Sequence, residues 1–182
     1  MEASEKMLRP LDEGGEIALR AVRPEDEEFL LDVYASSRAD EMALVPWDEA
    51  QKRAFLRQQF EAQSAQYFAR FPEAEYSIIL YKDRPVGRFW TGKSADEIRL
   101  LDIAILPEFQ NQGIGAVLVR ALIGEAERAN LPLRHMVFQL NIDALRFYER
   151  LGFTPFEEVG AYIHMERVPA AAPQTSSATS RD

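Results

Sequence analysis

The sequence predicts a single α/β domain of the α+β kind, a mixed central sheet of about six to seven strands flanked by helices. Three observations predict it. Segments of strand-like alternation are interspersed along the chain with segments of helical periodicity. One apolar strand candidate leads directly into a loop with two glycines and then an amphipathic helix, beginning at "PEFQNQGIG" (107–115). The 182 residues, 47% hydrophobic and 28% charged, are enough for one domain with its own core.

The first elements are a strand and two helices, after a polar N-terminal extension at 1–15. "EIALRAV" (16–22) alternates like a strand. The segment 23–36 predicts a helix with Pro24 at its first position and acidic residues at the positive end of its dipole. The segment 46–71 contains a second helix, in which Asp48 and Gln51 fit a capping box. Its middle is rich in glutamine, which indicates either a solvated face or a polar wall of a substrate site.

The middle of the chain predicts three strands and a helix. Strand candidates at 74–83 and 84–93 flank a turn, and 97–106 is more apolar and therefore central. Helical periodicity runs from Gly113 to Asn130. Its predicted apolar side consists of Ile114, Val117, Leu118, Ala121, Leu122, Ala126 and Ala129.

The last part predicts a strand, a short helix and a hairpin. The strand is 133–140, and the helix at 141–152 has Asn141 as its cap and Gly152 as its left-handed stop. A hairpin at 153–168 turns through Gly160 and completes a domain at 16–168. The tail, 169–182, has low complexity and is expected to be disordered.

Composition excludes several functions. The formal net charge of −9 argues against nucleic-acid binding in the absence of a basic cluster, and favours encounter with a cationic substrate. The absence of cysteine excludes disulfides, thiolate zinc sites and a cysteine nucleophile, and two histidines do not make a histidine-rich metal site. Each histidine is interpreted as an ordinary surface or core residue. No signal region or membrane-length apolar run is present, so we expect a cytoplasmic protein with no metal and no membrane partner.

The strand–loop–helix at 107–115 predicts a site for a pyrophosphate. Backbone N–H groups of such a loop converge on one concavity, and the helix start adds partial positive charge. Gly113 and Gly115 remove Cβ atoms where a phosphate would approach, and Gln110 and Gln112 offer further amide hydrogens. The P-loop and the dinucleotide fingerprint both fail, because Gly115 precedes Ala-Val and position 118 is Leu118.

The stretch from Ile98 to Phe153 resembles the GNAT superfamily of N-acetyltransferases. Gln110-x-x-Gly113-x-Gly115 satisfies that family's loop pattern. The hydrophobic-Ala-hydrophobic triplet and proline before the loop, and the later Asn, Ala, Tyr and Gly-Phe, also have the family's order and spacing. The first strand and helix are similar as well, so the resemblance covers about residues 16–168. The residues that carry it are Ile103, Ala104, Ile105, Pro107, Asn141, Ala144, Tyr148, Gly152 and Phe153.

The resemblance implies a sheet splayed between its fourth and fifth strands, with acetyl coenzyme A inserting its pantetheine arm into the gap like a short strand. It assigns the pantetheine to the backbone of Ile103 and Ile105, and a thioester-polarising N–H to the region of Ile105. Asn141 is either only a helix cap or also a pantetheine contact, and Phe147 is either a core residue or a lid. The implied cofactor-binding residues are Ile103, Ala104, Ile105, Gln110, Asn111, Gln112, Gly113, Ile114, Gly115, Asn141 and Phe147.

Tyr148 is the implied catalytic residue, a general acid that protonates the departing coenzyme A thiolate. The alternative is a buried tyrosine bonded to a carbonyl. Without cysteine no acyl-cysteine can form, so direct attack in a ternary complex is expected.

The general base stays open. Arg99 occupies the position where relatives place a carboxylate or histidine, and a guanidinium does not accept a proton. Glu97 is interpreted as a surface charge. Asp102 is interpreted as a structural hydrogen-bond partner that strand alternation turns away from Arg99. Glu41, water or an amine that arrives neutral are the other possibilities.

The acceptor is a small-molecule or peptide amine, chosen by residues 38–70. The acids Asp40, Glu41 and Asp48, with Trp47 and Trp90, form either a cation site or merely rim and core. Two other functions remain open: a non-catalytic acyl-coenzyme A-binding module and an acyltransferase for longer donors. The resemblance also allows a homodimer.

Overall fold

A seven-stranded mixed sheet lies at the centre of the computed structural model, which describes residues 17–169. The predicted extension at 1–15 and all but the first residue of the predicted tail fall outside this range. The strands are β1 (Ile17–Ala21), β2 (Glu75–Tyr81), β3 (Arg84–Lys93), β4 (Ile98–Ile105), β5 (Leu133–Phe138), β6 (Thr154–Val159) and β7 (Tyr162–Arg167).

Five α-helices of the described part flank this sheet. They are α1 (Glu27–Ser36), α2 (Ala39–Ala43), α3 (Glu49–Arg70), α4 (Ile114–Ala129) and α5 (Ile142–Arg150). Short 3-10 turns at Pro24–Asp26 and Pro107–Phe109 precede α1 and the loop before α4. The predicted elements are thus confirmed within a few residues, whereas the sequence analysis missed α2.

Local sequence signals account for several of the boundaries. The Asp48 side chain accepts a hydrogen bond from the Gln51 N–H, and the Gln51 side-chain oxygen accepts one from the Asp48 N–H, which is the predicted capping box. Asn141 Oδ1 accepts from the Ala144 N–H at 3.1 Å, and Gly152, with φ of +84°, ends α5 in the left-handed region.

The strand order is β1-β2-β3-β4-β5-β7-β6, and every neighbouring pair is antiparallel except β4 and β5. That parallel pair is short. It joins only Ile98–Leu100 to Leu133–His135, although β4 continues to Ile105. The two strands therefore separate beyond Leu100 and leave one edge of β4 without a partner strand, as the predicted splay requires.

A β-bulge in β4 lies next to this separation. Thr91 of β3 pairs with Leu100 and Trp90 pairs with Asp102, so Leu101 is the extra residue. The bulge reverses the alternation of β4 side chains beyond it. Leu100 before the bulge and Ile103 beyond it consequently pack with the same apolar cluster, whereas Leu101 packs with the cluster on the other face.

The core has two layers, one on each face of the sheet. On one face α4 and α5 cover a cluster that includes Leu118, Leu133 and Phe153, which are all nearly inaccessible. On the other face α1 and α3 cover Leu31, Ile78 and Trp90. The buried side of α4 is wider than predicted, because Val119 and Ile123 are also buried. Ala129, which was predicted to lie on the apolar side, is exposed.

Candidate active site

A cleft of about 1230 Å³ opens where β4 and β5 separate. Because the gap passes through the sheet, its walls come from both layers. The α4/α5 layer contributes the loop before α4 together with Phe147 and Tyr148. The α1–α3 layer contributes polar residues of the chain between Ser37 and Arg70, including Arg38 and Gln63.

The unpaired edge of β4 forms one wall of the cleft. Ile103, Ala104 and Ile105 pair with β3 on their other side. The carbonyl oxygen of Ile105 accepts a hydrogen bond of 2.8 Å from the side-chain amide of Gln110, so the loop is tied to the end of the strand. Past Leu100, no described strand pairs with this edge of β4, which can therefore pair with an extended ligand.

The loop at the outer end of this wall presents a row of unpaired donors. Within residues 17–169, the backbone N–H groups from Asn111 to Ala116 have no hydrogen-bond acceptor. Asn111 and Gly113 have φ values of +59° and +82°, which bend the chain at the start of α4. Such donors together with a helix start suit an anion, as the sequence predicts.

The glutamines of the loop have a more local role than predicted. Gln110 donates to Ile105, and Gln112 donates to the Glu108 carbonyl at 2.8 Å, so each side chain uses one amide hydrogen to brace the loop. A Cβ added at Gly113 would meet only open space. Glycine is therefore required at this position by the positive φ angle alone. A Cβ on Gly115 would contact Ile105 and Phe147, which places the first turn of α4 against the cleft.

Tyr148 lies in the wall of the cleft on α5. Its side chain is buried, with ring contacts to Phe147, Phe153 and His135 at centroid distances of 5.0, 5.4 and 4.6 Å. Burial raises the pKa of Tyr148 well above its usual value, and the charge of Asp102 adds to the effect. The phenol is therefore protonated at physiological pH and is able to donate a proton.

His135 is a cleft residue that the sequence analysis treated as ordinary. Its Nδ1 lies 2.8 Å from the Leu100 carbonyl oxygen, at the last paired position of β4 and β5. Burial lowers the pKa of His135, with the hydrogen bond to Leu100 and the charge of Asp102 acting in the opposite direction. Nothing in the local sequence marks this residue, because its position depends on which strands pair.

The three carboxylates considered above as general bases, Glu41, Glu97 and Asp102, are each paired with an arginine. Glu97 bonds to Arg99 at 2.7 and 3.1 Å and to Arg134 at 2.9 Å, so it is not the free surface charge that we expected. Burial raises the pKa of Glu97, but these hydrogen bonds outweigh it and leave the pKa below its usual value. Glu41 pairs with Arg38 at 2.9 Å.

Asp102 pairs with Arg88, whose Nε is 2.5 Å from Oδ2. The contact is ionic and lacks the alignment of a hydrogen bond. The expectation that Asp102 faces away from Arg99 is wrong. Asp102 pairs with Trp90 and Arg99 with Gly92, two positions on one face of β3, because the bulge at Leu101 shifts the alternation.

Rim and core, rather than a cation site, is the interpretation that fits most of these five residues. Trp90 is 1% exposed and belongs to the core, and Asp48 caps α3. Trp47 packs edge-on against Phe55 and, like Asp40, is not among the cleft residues. Glu41 alone of the five lines the cleft. The glutamine-rich helix, in contrast, does contribute Gln63 and Gln66 to the wall, beside a cluster of cations: Arg38, Arg70 and Arg99.

None of the helices between residues 17 and 169 is both long and apolar enough to cross a membrane. Within the same residues, no group of three or more histidine and acidic side chains could hold a metal ion.

A sheet that opens between two parallel strands, beside a glycine-containing loop and helix start, defines an acyltransferase class that uses coenzyme A thioesters. The chain belongs to the acetyltransferase (GNAT) family, whose profile matches residues 35–153. Acetyl coenzyme A is the co-substrate that characterises this family.

Individual relatives are more distant. The chain is 28% identical over 102 residues to the uncharacterized N-acetyltransferase CgeE of Bacillus subtilis (strain 168), a match to 52% of this chain and 39% of that protein. The chain therefore spans less than half the length of this relative.

Solved structures share the fold. The PaiA N-acetyltransferase of Thermoplasma acidophilum, in complex with coenzyme A, superposes with a TM-score of 0.63 at 19% identity, over 84% of this chain and 99% of that one. Ard1 of Thermoplasma volcanium gives a TM-score of 0.57 at 22% identity, over 87% of this chain and 99% of that one.

Proposed function

We propose that the protein transfers the acetyl group of acetyl coenzyme A to a primary amine by direct attack in a ternary complex. One observation carries the proposal. A buried, protonated phenol, Tyr148, lies in the wall of the same cleft that contains the unpaired edge of β4 and the donor-rich loop. Donor binding and proton donation are thereby combined in one cleft.

The donor binds along the α4/α5 side of the cleft. The free N–H groups of the loop from Asn111 to Gly115 hold the pyrophosphate, and the helix start favours its charge. The pantetheine pairs with the backbone of Ile103 and Ile105 as an added strand. Ala104 lies between these two residues and pairs with β3 on the other side. The Ile105 carbonyl already accepts a hydrogen bond from Gln110. The backbone N–H of Ile105 is therefore the group that is left to bind acetyl coenzyme A.

Two side chains complete this binding surface. Asn141 uses Oδ1 to cap α5, which leaves its amide hydrogens to contact the pantetheine. Phe147 is half-buried and lies close to Gly115, where it covers the arm from the α5 side. Gln112 and Ile114 act through their backbone N–H groups.

Reaction begins when the nitrogen lone pair of the amine attacks the thioester carbonyl carbon. A tetrahedral adduct forms, and the carbon–sulfur bond then breaks with its electrons going to sulfur. Tyr148 gives its proton to the leaving thiolate, and the nitrogen loses a proton, so the products are the acetamide and free coenzyme A. The phenol recovers its proton from solvent or from the released amine proton.

The acceptor enters from the α1–α3 side, where the wall is polar and rich in guanidinium groups. Glu41, Glu97 and Asp102 are each paired with an arginine, and these contacts lower the pKa of Glu97, which makes that carboxylate a weaker base. The amine therefore enters in its neutral form or loses its proton to water. Arg70 lines this side of the cleft and forms no ion pair with any described residue. Its positive charge therefore favours an amine that also carries a carboxylate.

A second candidate function is that of a non-catalytic acyl-coenzyme A-binding module. It is favoured because Glu41, Glu97 and Asp102, the carboxylates considered as general bases, are each paired with an arginine. The two are separated by measuring free thiol from acetyl coenzyme A across amino acids, polyamines and lysine-containing peptides. Release that depends on an amine supports the transferase. Calorimetric binding of coenzyme A without amine-dependent release on any acceptor supports the module, and no binding at all overturns both.

A further inference from the structure

We propose that His135 closes the inner end of the cleft and limits the acyl group of the donor to short chains such as acetyl. The inference rests on the proposed function, because it assumes that an acyl-coenzyme A occupies the gap between β4 and β5. It adds a limit on the length of the acyl chain that the cleft accepts and names the residue that sets this limit.

His135 stands at the point where the two strands part. Leu100 and His135 are the last paired residues of β4 and β5. The Nδ1 of the imidazole is 2.8 Å from the Leu100 oxygen, and since a carbonyl only accepts, Nδ1 carries the hydrogen. The side chain is thus pinned across the inner end of the gap.

The direction in which acyl-coenzyme A lies in the cleft follows from the positions of the two ends of the unpaired edge of β4. The donor-rich loop that suits the pyrophosphate follows the outer end of β4, just past Ile105. From Ile105 back to Leu100 the strand covers about 16 Å at roughly 3.3 Å per residue. An arm that pairs with Ile103 and Ile105 and starts at the loop therefore points its thioester inward, toward His135.

The inner end is a packed wall. The imidazole lies against the Tyr148 ring, with centroids 4.6 Å apart, and Tyr148 is held in turn by Phe153 and Phe147. Tyr148 and Phe153 are 3% and 2% exposed, so both rings are enclosed by neighbouring side chains. A longer acyl chain that continues in the direction of β4 would have to displace the imidazole, break its bond to Leu100 and disturb closely packed aromatic rings.

The experiment measures binding, so it needs no known acceptor. The full chain is titrated by calorimetry with acetyl-, butanoyl- and hexanoyl-coenzyme A. We expect the unaltered protein to bind the acetyl donor at least about tenfold more tightly than the hexanoyl donor, the scale of an overpacking penalty. His135→Ala removes the wall and should abolish or reverse this preference.

Two variants make the test robust. His164→Ala removes the other histidine, which lies on β7 beside Glu157 and Phe156 and does not line the cleft, and should leave the preference unchanged. His135→Asn keeps an amide hydrogen for Leu100 in a smaller side chain. It should fold even if His135→Ala does not, and should admit the butanoyl donor more readily than the unaltered protein.

Each outcome is informative. Equal affinity of the unaltered protein for all three donors, or an unchanged preference in both His135 variants, overturns the inference. Selective binding of short donors with no amine-dependent thiol release leaves the inference standing and overturns the proposed function. Failure to bind any of the three donors overturns both.

Discussion

The guanidinium of Arg88 lies against Asp102 with an Nε–Oδ2 distance of 2.5 Å, on the α1–α3 side of the cleft. The Arg88 side chain is 3% exposed and is surrounded by the rings of Trp90, Tyr34 and Phe60 at 4.7, 5.7 and 5.8 Å. Asp102 is thus the carboxylate that balances a cation buried among aromatic rings. Its main role is to stabilise the fold beneath the cleft.

Arg88→Met is expected to lower the free energy of unfolding by about 3 kcal/mol, because it leaves the Asp102 charge without its partner. We place the loss at the lower end of the usual range, since Asp102 is 23% exposed and gains some solvation. Urea denaturation followed by fluorescence measures it. The matched variant with both Arg88→Met and Asp102→Asn should recover most of the loss, and no recovery would contradict the assignment of the pair.

Tyr148→Phe is expected to lower kcat by about 10²- to 10⁴-fold, the usual worth of a general acid, while the Kd of coenzyme A changes less than about twofold. The ring contacts that hold the side chain are kept, so only the proton donor is lost. Thiol release and calorimetry are measured on the same preparation. Tyr76→Phe removes the hydroxyl of a half-buried tyrosine that does not line the cleft, and serves as the control. A kcat within twofold of the unaltered enzyme would rule out the general-acid role.

Gly113→Ala is expected to weaken coenzyme A binding and to cost about 1–2 kcal/mol of stability, the strain of a side chain in the left-handed region. The φ angle is +82°, and a Cβ would meet no atom within 4 Å, so the effect is confined to the backbone that shapes the donor-rich loop. Gly160→Ala is a matched control, with φ of +60° and open space in the turn between β6 and β7. It should lose similar stability without any change in the Kd of coenzyme A, and equal losses of affinity in both variants would refute the loop assignment.

Features set by neighbouring residues could be predicted from the sequence. The capping box at Asp48, the cap at Asn141 and the stop at Gly152 depend on a few adjacent residues, and all three are confirmed. The loop with its two glycines is equally local, which is why the family and the splayed sheet could be expected.

Features set by strand pairing could not be predicted. The bulge at Leu101 decides which way Asp102 points, and simple alternation gave the wrong face. Arg88 and Asp102 lie on different strands, so their sequence positions do not reveal that their side chains meet. His135 acquires its place only because β5 ends its pairing with β4 at that residue.

Asp26 provides a pH-dependent test of the fold before α1. Its carboxylate accepts two hydrogen bonds of 2.7 Å from the Arg20 guanidinium and one of 2.8 Å from the Arg23 N–H. The hydrogen bond from Arg20 lowers the pKa of Asp26 below its usual 3.8, against the opposing effect of burial. A lowered carboxyl pKa contributes stability that is fully present above the unfolded value and is lost as the pH falls through the folded value.

Asp26→Asn is therefore expected to be less stable than the unaltered protein by about 1–3 kcal/mol near neutral pH, and the difference should shrink as the pH falls below 3.8. Thermal or urea unfolding at several pH values between 7 and 2.5 measures it. Glu28→Gln, which removes an exposed partner of Arg53 and Arg57, should leave stability nearly unchanged at every pH, because solvent screens that pair. A difference between Asp26→Asn and the unaltered protein that stayed constant across the whole range would show that Asp26 stabilises this turn through packing, independently of its charge.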